Sequence, residues 1–584
     1  MLVENKLAED QLAKVKKFTL LRGIWRVGNG YWRSQEKKYA GLLLLAIISL
    51  TAIDVYLQVW LNKWRNIFFN TLQDRDLAAF FDSIFLWLIL TVAALAVTVY
   101  QRYLHQILEL KWRTWLTERF IQEYLHSKKY YYMHISDNSI DNPDQRMSED
   151  VKLFIELLLK IFIWFLYTLG ILCSFIIILW QLSGSFSLSW QEWSIVIPGD
   201  MVWIALGYAI MVNLIVAKFG QSLVHLNFQQ QCFEANFRFG LIRLREYAEA
   251  IALYTGEQRE RYLLKGYLKK VYDNLYKYIN RQKVLDCLIF CLYRGAEPLP
   301  YIITVPRFFS GQIQLGGLMQ ITAAFDRVQK SLTFFVGWYK ELAKLEAIVK
   351  RLANFMDMME QMRLVGGNSA IRVIASPDMT FSVEGLNVRL PNGKLLIHDF
   401  AMKLQAGDSL LITGPSGCGK SMLIKAIAGI WPFGEGCTRI PHNQQCLFLP
   451  QKPYLPEGTL REALLYPQSG LTCPDEEIVA VLKKCNLNDL VELLDDRENW
   501  SHILSTGEQQ RIAFARAILQ QPPWLFLDEA TSGLDEATEK RLYKMLRNEL
   551  KTTGIVSVGH RSSLLPYHDK ILTIKEKGGW ALVA

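Results

Sequence analysis

Six stretches of the chain stay apolar long enough to cross a hydrocarbon core: residues 39–60, 81–103, 157–180, 195–217, 284–305 and 316–339. Such a crossing needs about 20 residues at a rise of about 1.5 Å each. The last two stretches carry charges. Apolar residues also recur at helical spacing in the two longest connections, at Trp112, Trp115, Phe120 and Tyr124 and at Leu241, Leu244, Tyr247 and Ile251. Both connections are therefore predicted to be helices that continue past the membrane. Beyond about residue 355 the pattern changes. Gly366, Gly367, Asn368, Ser369 and Pro377 punctuate a linker over 356–376, and short apolar strands such as 409–413 follow. The division expected is an amphipathic cytoplasmic arm over 1–38, a six-helix membrane domain over 39–355 and a soluble α/β domain over 377–584.

Charge sets the orientation. The arm holds Lys14, Lys16, Lys17, Arg22, Arg26, Arg33, Lys37 and Lys38, and the connections 111–152 and 218–283 are similarly basic, whereas 181–194 has no Lys or Arg and 306–315 only Arg307. Basic loops are retained on the cytoplasmic side, which places both termini there. The arm has no small-residue cleavage site, so no secretory processing is expected. Over 584 residues the net charge is only +9, with basic and acidic residues interspersed, and this argues against a nucleic-acid partner. The nine cysteines form no CxxC pair, so neither a zinc site nor a disulfide framework is expected. One turn-rich run, 137–146, lies between helical stretches of the first basic connection. Its end, Asn142, Pro143, Asp144, Gln145 and Arg146, reads either as a loop with a helix cap or as an elbow on which a cytoplasmic domain docks and couples.

The soluble half carries the chemistry. Strand 409–413 runs into Gly414, Pro415, Ser416, Gly417, Cys418, Gly419, Lys420 and Ser421, and a helix begins at Met422. This is the GxxxxGK[ST] phosphate loop in its strand–loop–helix setting. The glycines let backbone N–H groups approach phosphate oxygens, Lys420 reaches the terminal phosphates of ATP, and the Ser421 hydroxyl is placed for Mg2+. A second apolar strand, 524–528, ends in two carboxylates: Asp528 suits the metal and Glu529 can polarise water as a general base.

Between these motifs stands Leu504-Ser505-Thr506-Gly507-Glu508-Gln509-Gln510-Arg511, which resembles the signature of ATP-binding cassette (ABC) proteins. Gln451 matches that family's Q-loop, 532–535 its D-loop and His560 its switch histidine. Further runs, 142–146, 247–254, 429–432 and 559–562, resemble the group containing the YddA and SbmA/BacA-like transporters and the eukaryotic subfamily D transporters. The resemblance implies a membrane α-helical domain of type IV exporter form fused to a P-loop ABC ATPase. It further implies ATP and Mg2+ as cofactors, with Ser421, Gln451 and Asp528 at the metal and Glu529, His560 and Gln451 in hydrolysis. It implies a homodimer, in which Ser505, Gly507 and Glu508 of one chain close on the nucleotide held by Lys420 of the other. Three departures stand out: Thr506 where most signatures have glycine, Glu508 where many have glutamine, and Leu390 near the usual place of an adenine-stacking aromatic.

Charges inside spans are costly and mark candidate sites. Asp286, Arg294, Glu297, Asp326 and Arg327 are of this kind. Arg294 and Glu297 share a helical face, and Pro298 and Pro300 should break the helix after them. The pair fits either the polar wall of a translocation cavity or an ion pair that holds the bundle. The expected function is ATP-driven movement of a polar solute, cobalamin or peptides by the resemblance, across a bacterial inner membrane. The alternatives are an acyl-CoA transporter like subfamily D and a nucleotide-gated pathway driven by protons.

Overall fold

The computed structural model describes residues 20–135, 142–190, 193–367, 370–376, 380–441, 446–468, 473–575 and 578–583. The chain divides into two compact units, one formed by 1–121 with 142–356 and the other by 122–141 with 357–584.

The first unit is built of long helices: α1 (Leu20–Trp32), α2 (Lys37–Asp74), α3 (Leu77–Leu125), which is followed after a kink at Ser127 by α4 (Lys129–Ile135) of the second unit, α5 (Val151–Leu182), α6 (Asp200–Glu246), α7 (Glu257–Ala296), α8 (Pro298–Phe309), α9 (Leu315–Leu332) and most of α10 (Phe334–Gly367). Its core is formed by Val55, Ile171, Phe175, Met201, Ile321 and Phe325, from α2, α5, α6 and α9. Four helical stretches among the described residues are long and apolar enough to cross a membrane: Lys37–Asp74, Leu77–Ile135, Pro143–Leu182 and Asp200–Glu246. Phe85, Leu95, Ile177 and Leu214 on these helices stand well exposed, a burden in water that lipid removes.

The fifth and sixth expected spans are helical but interrupted, and they fall short of the same length and hydropathy standard. The fifth breaks at Glu297 because Pro298 has no N–H to continue α7. The sixth is divided between α9 and α10 at Thr333. Residues 195–198, expected to open the fourth span, instead belong to a hairpin of β1 (Ser185–Trp190) and β2 (Trp193–Pro198), and the helix starts at Asp200.

In the second unit a six-stranded sheet has the order β14-β13-β6-β12-β11-β8, and a four-stranded sheet the order β3-β7-β4-β5. The ranges are β3 Ala370–Ser376, β4 Phe381–Arg389, β5 Leu395–Leu404, β6 Ser409–Thr413, β7 Gly434–Pro441 and β8 Cys446–Leu449. They continue with β9 Gly458–Thr459, β10 Arg497–Glu498, β11 Trp524–Asp528, β12 Gly554–Val558, β13 Lys570–Ile574 and β14 Trp580–Val583. The larger sheet is parallel except at β14, and its central β6, β11 and β12 are mostly apolar and almost wholly buried, as strands covered on both faces are. The helices that matter below are α11 (Lys420–Ile427), α12 (Thr506–Gln520) and α13 (Glu536–Glu549).

Two expected boundaries move. Helix α10 runs on to Gly367 and strand β3 pairs in parallel with β7 through residues 370–376, so the described residues of the linker expected over 356–376 are helix and sheet, and the soluble fold begins ahead of residue 377. The glycine-rich run misled because it borders a strand. The elbow expected at 137–146 lies partly outside the described residues, and Asn142 to Arg146 belong to the helical unit, where Arg146 pairs with Asp150. What packs on the second unit's core is the preceding α4: Ile135 lies against the cluster of Phe381, Phe400 and Phe526, and Lys129, Tyr132 and Met133 are buried.

Candidate functional site

The phosphate loop sits at the end of β6, at the carboxyl edge of the parallel strands where ligands of open α/β sheets bind. Gly419, at φ +104°, turns the chain into α11, a conformation that L side chains rarely adopt. Gly414 passes so close to the Ile574 carbonyl that a Cβ there would collide with it. The Lys420 ammonium is held inside the loop, donating to the Gly414 and Pro415 carbonyls at 3.0 and 2.8 Å.

The carboxylates expected from the sequence converge on this loop. Ser421 Oγ donates to Asp528 Oδ1 at 2.9 Å, which joins the first turn of α11 to the end of β11. Burial raises the Asp528 carboxyl above its ordinary range; the Ser421 hydroxyl opposes the shift and the neighbouring Glu529 charge adds to it. No cluster of three His, Cys, Asp or Glu that could cage a metal exists among the described residues. A buried carboxylate beside a hydroxyl does fit Mg2+, which takes few protein ligands and completes its shell with water and phosphate oxygens.

Next in the chain, Glu529 adopts φ +50°, and its N–H donates to the Val558 carbonyl, which fixes the turn against β12. Its Oε1 lies 3.0 Å from His560 Nε2, and its Oε2 accepts from Gln451 Nε2 at 3.3 Å. Three residues separated by up to 109 positions thus meet around one carboxylate that is directed by neighbours on both sides.

The signature run caps α12. The Ser505 N–H and hydroxyl donate to Glu508 Oε2 at 2.9 and 2.7 Å, and the Glu508 N–H donates to Ser505 Oγ at 3.4 Å. This capping box explains why glutamate serves where glutamine was expected, and the hydrogen bond from Ser505 holds the Glu508 carboxyl below its usual range. Thr506 becomes the first helical residue, a position that tolerates a side chain.

Two residues of α12 that motif reading passed over organise the site. Gln510, fully buried, donates to the Gln451 carbonyl at 3.0 Å and to Ser532 Oγ at 3.2 Å, and accepts from the Gly533 N–H at 3.0 Å. Arg516 donates to the Tyr454 and Ala463 carbonyls at 3.0 and 2.6 Å, and burial lowers its pKa to about 10. The Q-loop and D-loop are therefore both fastened to the signature helix. The missed signal was a long polar side chain on the apolar face of an otherwise well-patterned helix.

The chain is similar to known proteins over both of its units. Residues 32–309 match the family model described as ABC transporter transmembrane region 2, and residues 397–532 match that described as ABC transporter. The inner membrane ABC transporter ATP-binding protein YddA of Escherichia coli (strain K12) is 33% identical over 93% of this chain and 96% of its own. The chain belongs to the ABC transporter family. The lysosomal cobalamin transporter ABCD4 of Homo sapiens is 28% identical over 94% of each chain. The structure of a bacterial Atm1-family ABC exporter with ATP bound matches with a TM-score of 0.70 at 17% identity, covering 91% of this chain and 94% of that one. The transporter thus joins a helical membrane region to an ABC ATPase that binds ATP and couples its hydrolysis to transport.

In its membrane unit the charged candidates divide. Arg294 donates to Glu297 Oε1 and Oε2 at 2.7 and 3.0 Å, and Lys330 to Asp326 Oδ2 at 2.8 Å. Both pairs line a cavity of about 580 Å³, and the Arg294–Glu297 pair is exposed and spans three residues of one stretch of chain, so it ties no second helix to the bundle. Arg327 donates to Gln58 Oε1 at 2.9 Å and lines a second cavity of about 240 Å³, while Asp286 is exposed and lines neither.

Proposed function

We propose that the transporter works as a homodimer of six-span chains in a bacterial inner membrane, both termini cytoplasmic, moving a polar solute through a charged cavity. The observation that carries the reading is the convergence of Gln451 and His560 on Glu529, next to an Asp528 already bonded to Ser421. Glu529 takes the proton of the attacking water, and His560 and Gln451 orient its carboxylate. Lys420 and the N–H groups of 414–422 hold the phosphates, and Ser421, Asp528 and Gln451 would hold Mg2+, which would supply positive charge to the phosphate oxygens when bound. Ser505 and Gly507 reach the γ-phosphate of the opposite chain, which makes the dimer obligatory for turnover. Cobalamin, named for one relative, and peptides are polar solutes that suit the charged lining of this cavity, three basic and two acidic side chains, Arg65, Arg294, Lys330, Glu297 and Asp326.

The deciding experiment is ATPase activity in liposomes, with uptake of labelled cobalamin and peptides into vesicles of both orientations. Glu529→Gln should bind ATP and lose turnover by about 100-fold or more. Ordinary turnover in that variant contradicts the assigned base.

A further inference from the structure

Polar side chains recur every fourth residue along α2, the first membrane helix: Asp54, Gln58, Asn62, Asn66 and Asn70. In an otherwise apolar helix this row needs partners, because lipid supplies none. Four of the five have them. Gln58 Nε2 donates to Asp54 Oδ1 at 3.3 Å, and Gln58 Oε1 accepts from Arg327. Asn66 donates to Gln320 Oε1 at 2.8 Å, and Asn70 donates to Asn66 and accepts from the Gly316 N–H at 2.7 Å.

The partners descend α9 as the row ascends α2, Arg327 opposite Gln58, Gln320 opposite Asn66 and Gly316 opposite Asn70. That antiparallel register sets Asn62 level with Ala323, which lines the same cavity and has no polar side-chain atom. Asn62 is 4% exposed, and neither its Nδ2 nor its Oδ1 has a hydrogen-bond partner. A buried amide with both ends unmatched is a cost that folding ordinarily removes. Here the amide faces a cavity of about 240 Å³ that Arg65, Arg327, Trp64 and Trp87 also line, and Arg65 and Ala323 border the larger cavity as well.

We infer that Asn62 is a ligand-binding residue, and that the small cavity takes an anionic oxygen group, carboxylate or phosphate, with a hydrogen-bond donor beside it. Arg327, Arg65 and Asn62 Nδ2 donate to the anion, Asn62 Oδ1 accepts from the neighbouring N–H or O–H, and the tryptophans flank the apolar part. The rest of the solute occupies the larger cavity. This rests on the transporter reading above.

The test uses full-length protein in phosphatidylcholine nanodiscs, with glutathione as the carboxylate probe and coenzyme A as the phosphate probe. At least one should bind the wild type, and whichever binds names the anion. Asn62→Leu should weaken it at least tenfold, and since the Asn62 side chain makes no hydrogen bond, a leucine of similar size removes none that the fold relies on. Arg327→Gln should weaken it similarly, with Arg327→Lys in between. Equal affinity in Asn62→Leu, or no binding of either probe to the wild type, overturns the site. Weaker probe binding when phosphatidylglycerol is added gives the cavity to a lipid headgroup and also overturns it, while unchanged binding supports a soluble cargo. Wild-type ATP hydrolysis in the same nanodiscs keeps the two readings apart: hydrolysis without probe binding sinks this site and leaves the transporter standing.

Discussion

At the scale of single residues, Asp528 and Ser505 carry separate predictions. Burial makes Asp528 hold its proton to a higher pH than a free carboxyl. As the pH falls through that raised value, the cation loses its carboxylate, and ATP hydrolysis should fall with it. Because metal and proton compete, added Mg2+ should move the acid midpoint down, at most roughly one pH unit for each tenfold rise. A midpoint indifferent to Mg2+ would remove Asp528 from the metal site. Ser505→Ala, by opening the capping box, should cost α12 about 1 kcal/mol, seen as faster hydrogen exchange in its first turn. The motif residues were legible because each motif is a contiguous run with its chemistry on its face. The capping box was legible too, as Ser-x-x-Glu, but the family pattern drew attention to how Glu508 differs rather than to what it binds.

At the scale of elements, contact between α2 and α9 depends on a missing side chain. A Cβ at Gly316 would meet the Asn66 carbonyl and the Asn70 amide. Gly316→Val should therefore push the helices apart and destabilise the unit by about 1–3 kcal/mol. A melting temperature unchanged in detergent would show that the helices are not clamped there. The row on α2 escaped the sequence reading because the charges singled out lay in the last two spans, and one polar residue per turn is cheap enough to overlook until four amides and the Asp54 carboxylate line up. Segment α4 was hidden differently. Its Tyr130, Tyr131, Tyr132 and Met133 continue the pattern of the long helix before it, and only the folded core shows that Ile135 packs with the ATPase unit. Proline, by contrast, was decisive: the break after Glu297 could be read directly from Pro298.

At the scale of the whole molecule, head-to-tail pairing has a clear signature. A chain carrying Lys420→Ala and a chain carrying Gly507→Asp each lack one half of every nucleotide site, and neither should hydrolyse ATP alone. Mixed in one membrane, they form some heterodimers with one intact site, so activity should return to a fraction of wild type. No recovery, with heterodimers verified by differential tags, would mean that each chain completes its own site. The two-unit division was legible as a change of pattern, since spans of about 20 apolar residues and short buried strands have different periods. Its exact borders were not, because β3 and α4 join the second unit through pairing and packing that no local run of residues announces. The Ala323 methyl, bordering both hollows with Arg65, has one more consequence. A bulkier residue there would narrow both hollows and crowd Asn62 beside it. On the transporter reading, a larger side chain at that one position should disfavour cargo that fills both hollows more than cargo that fills one.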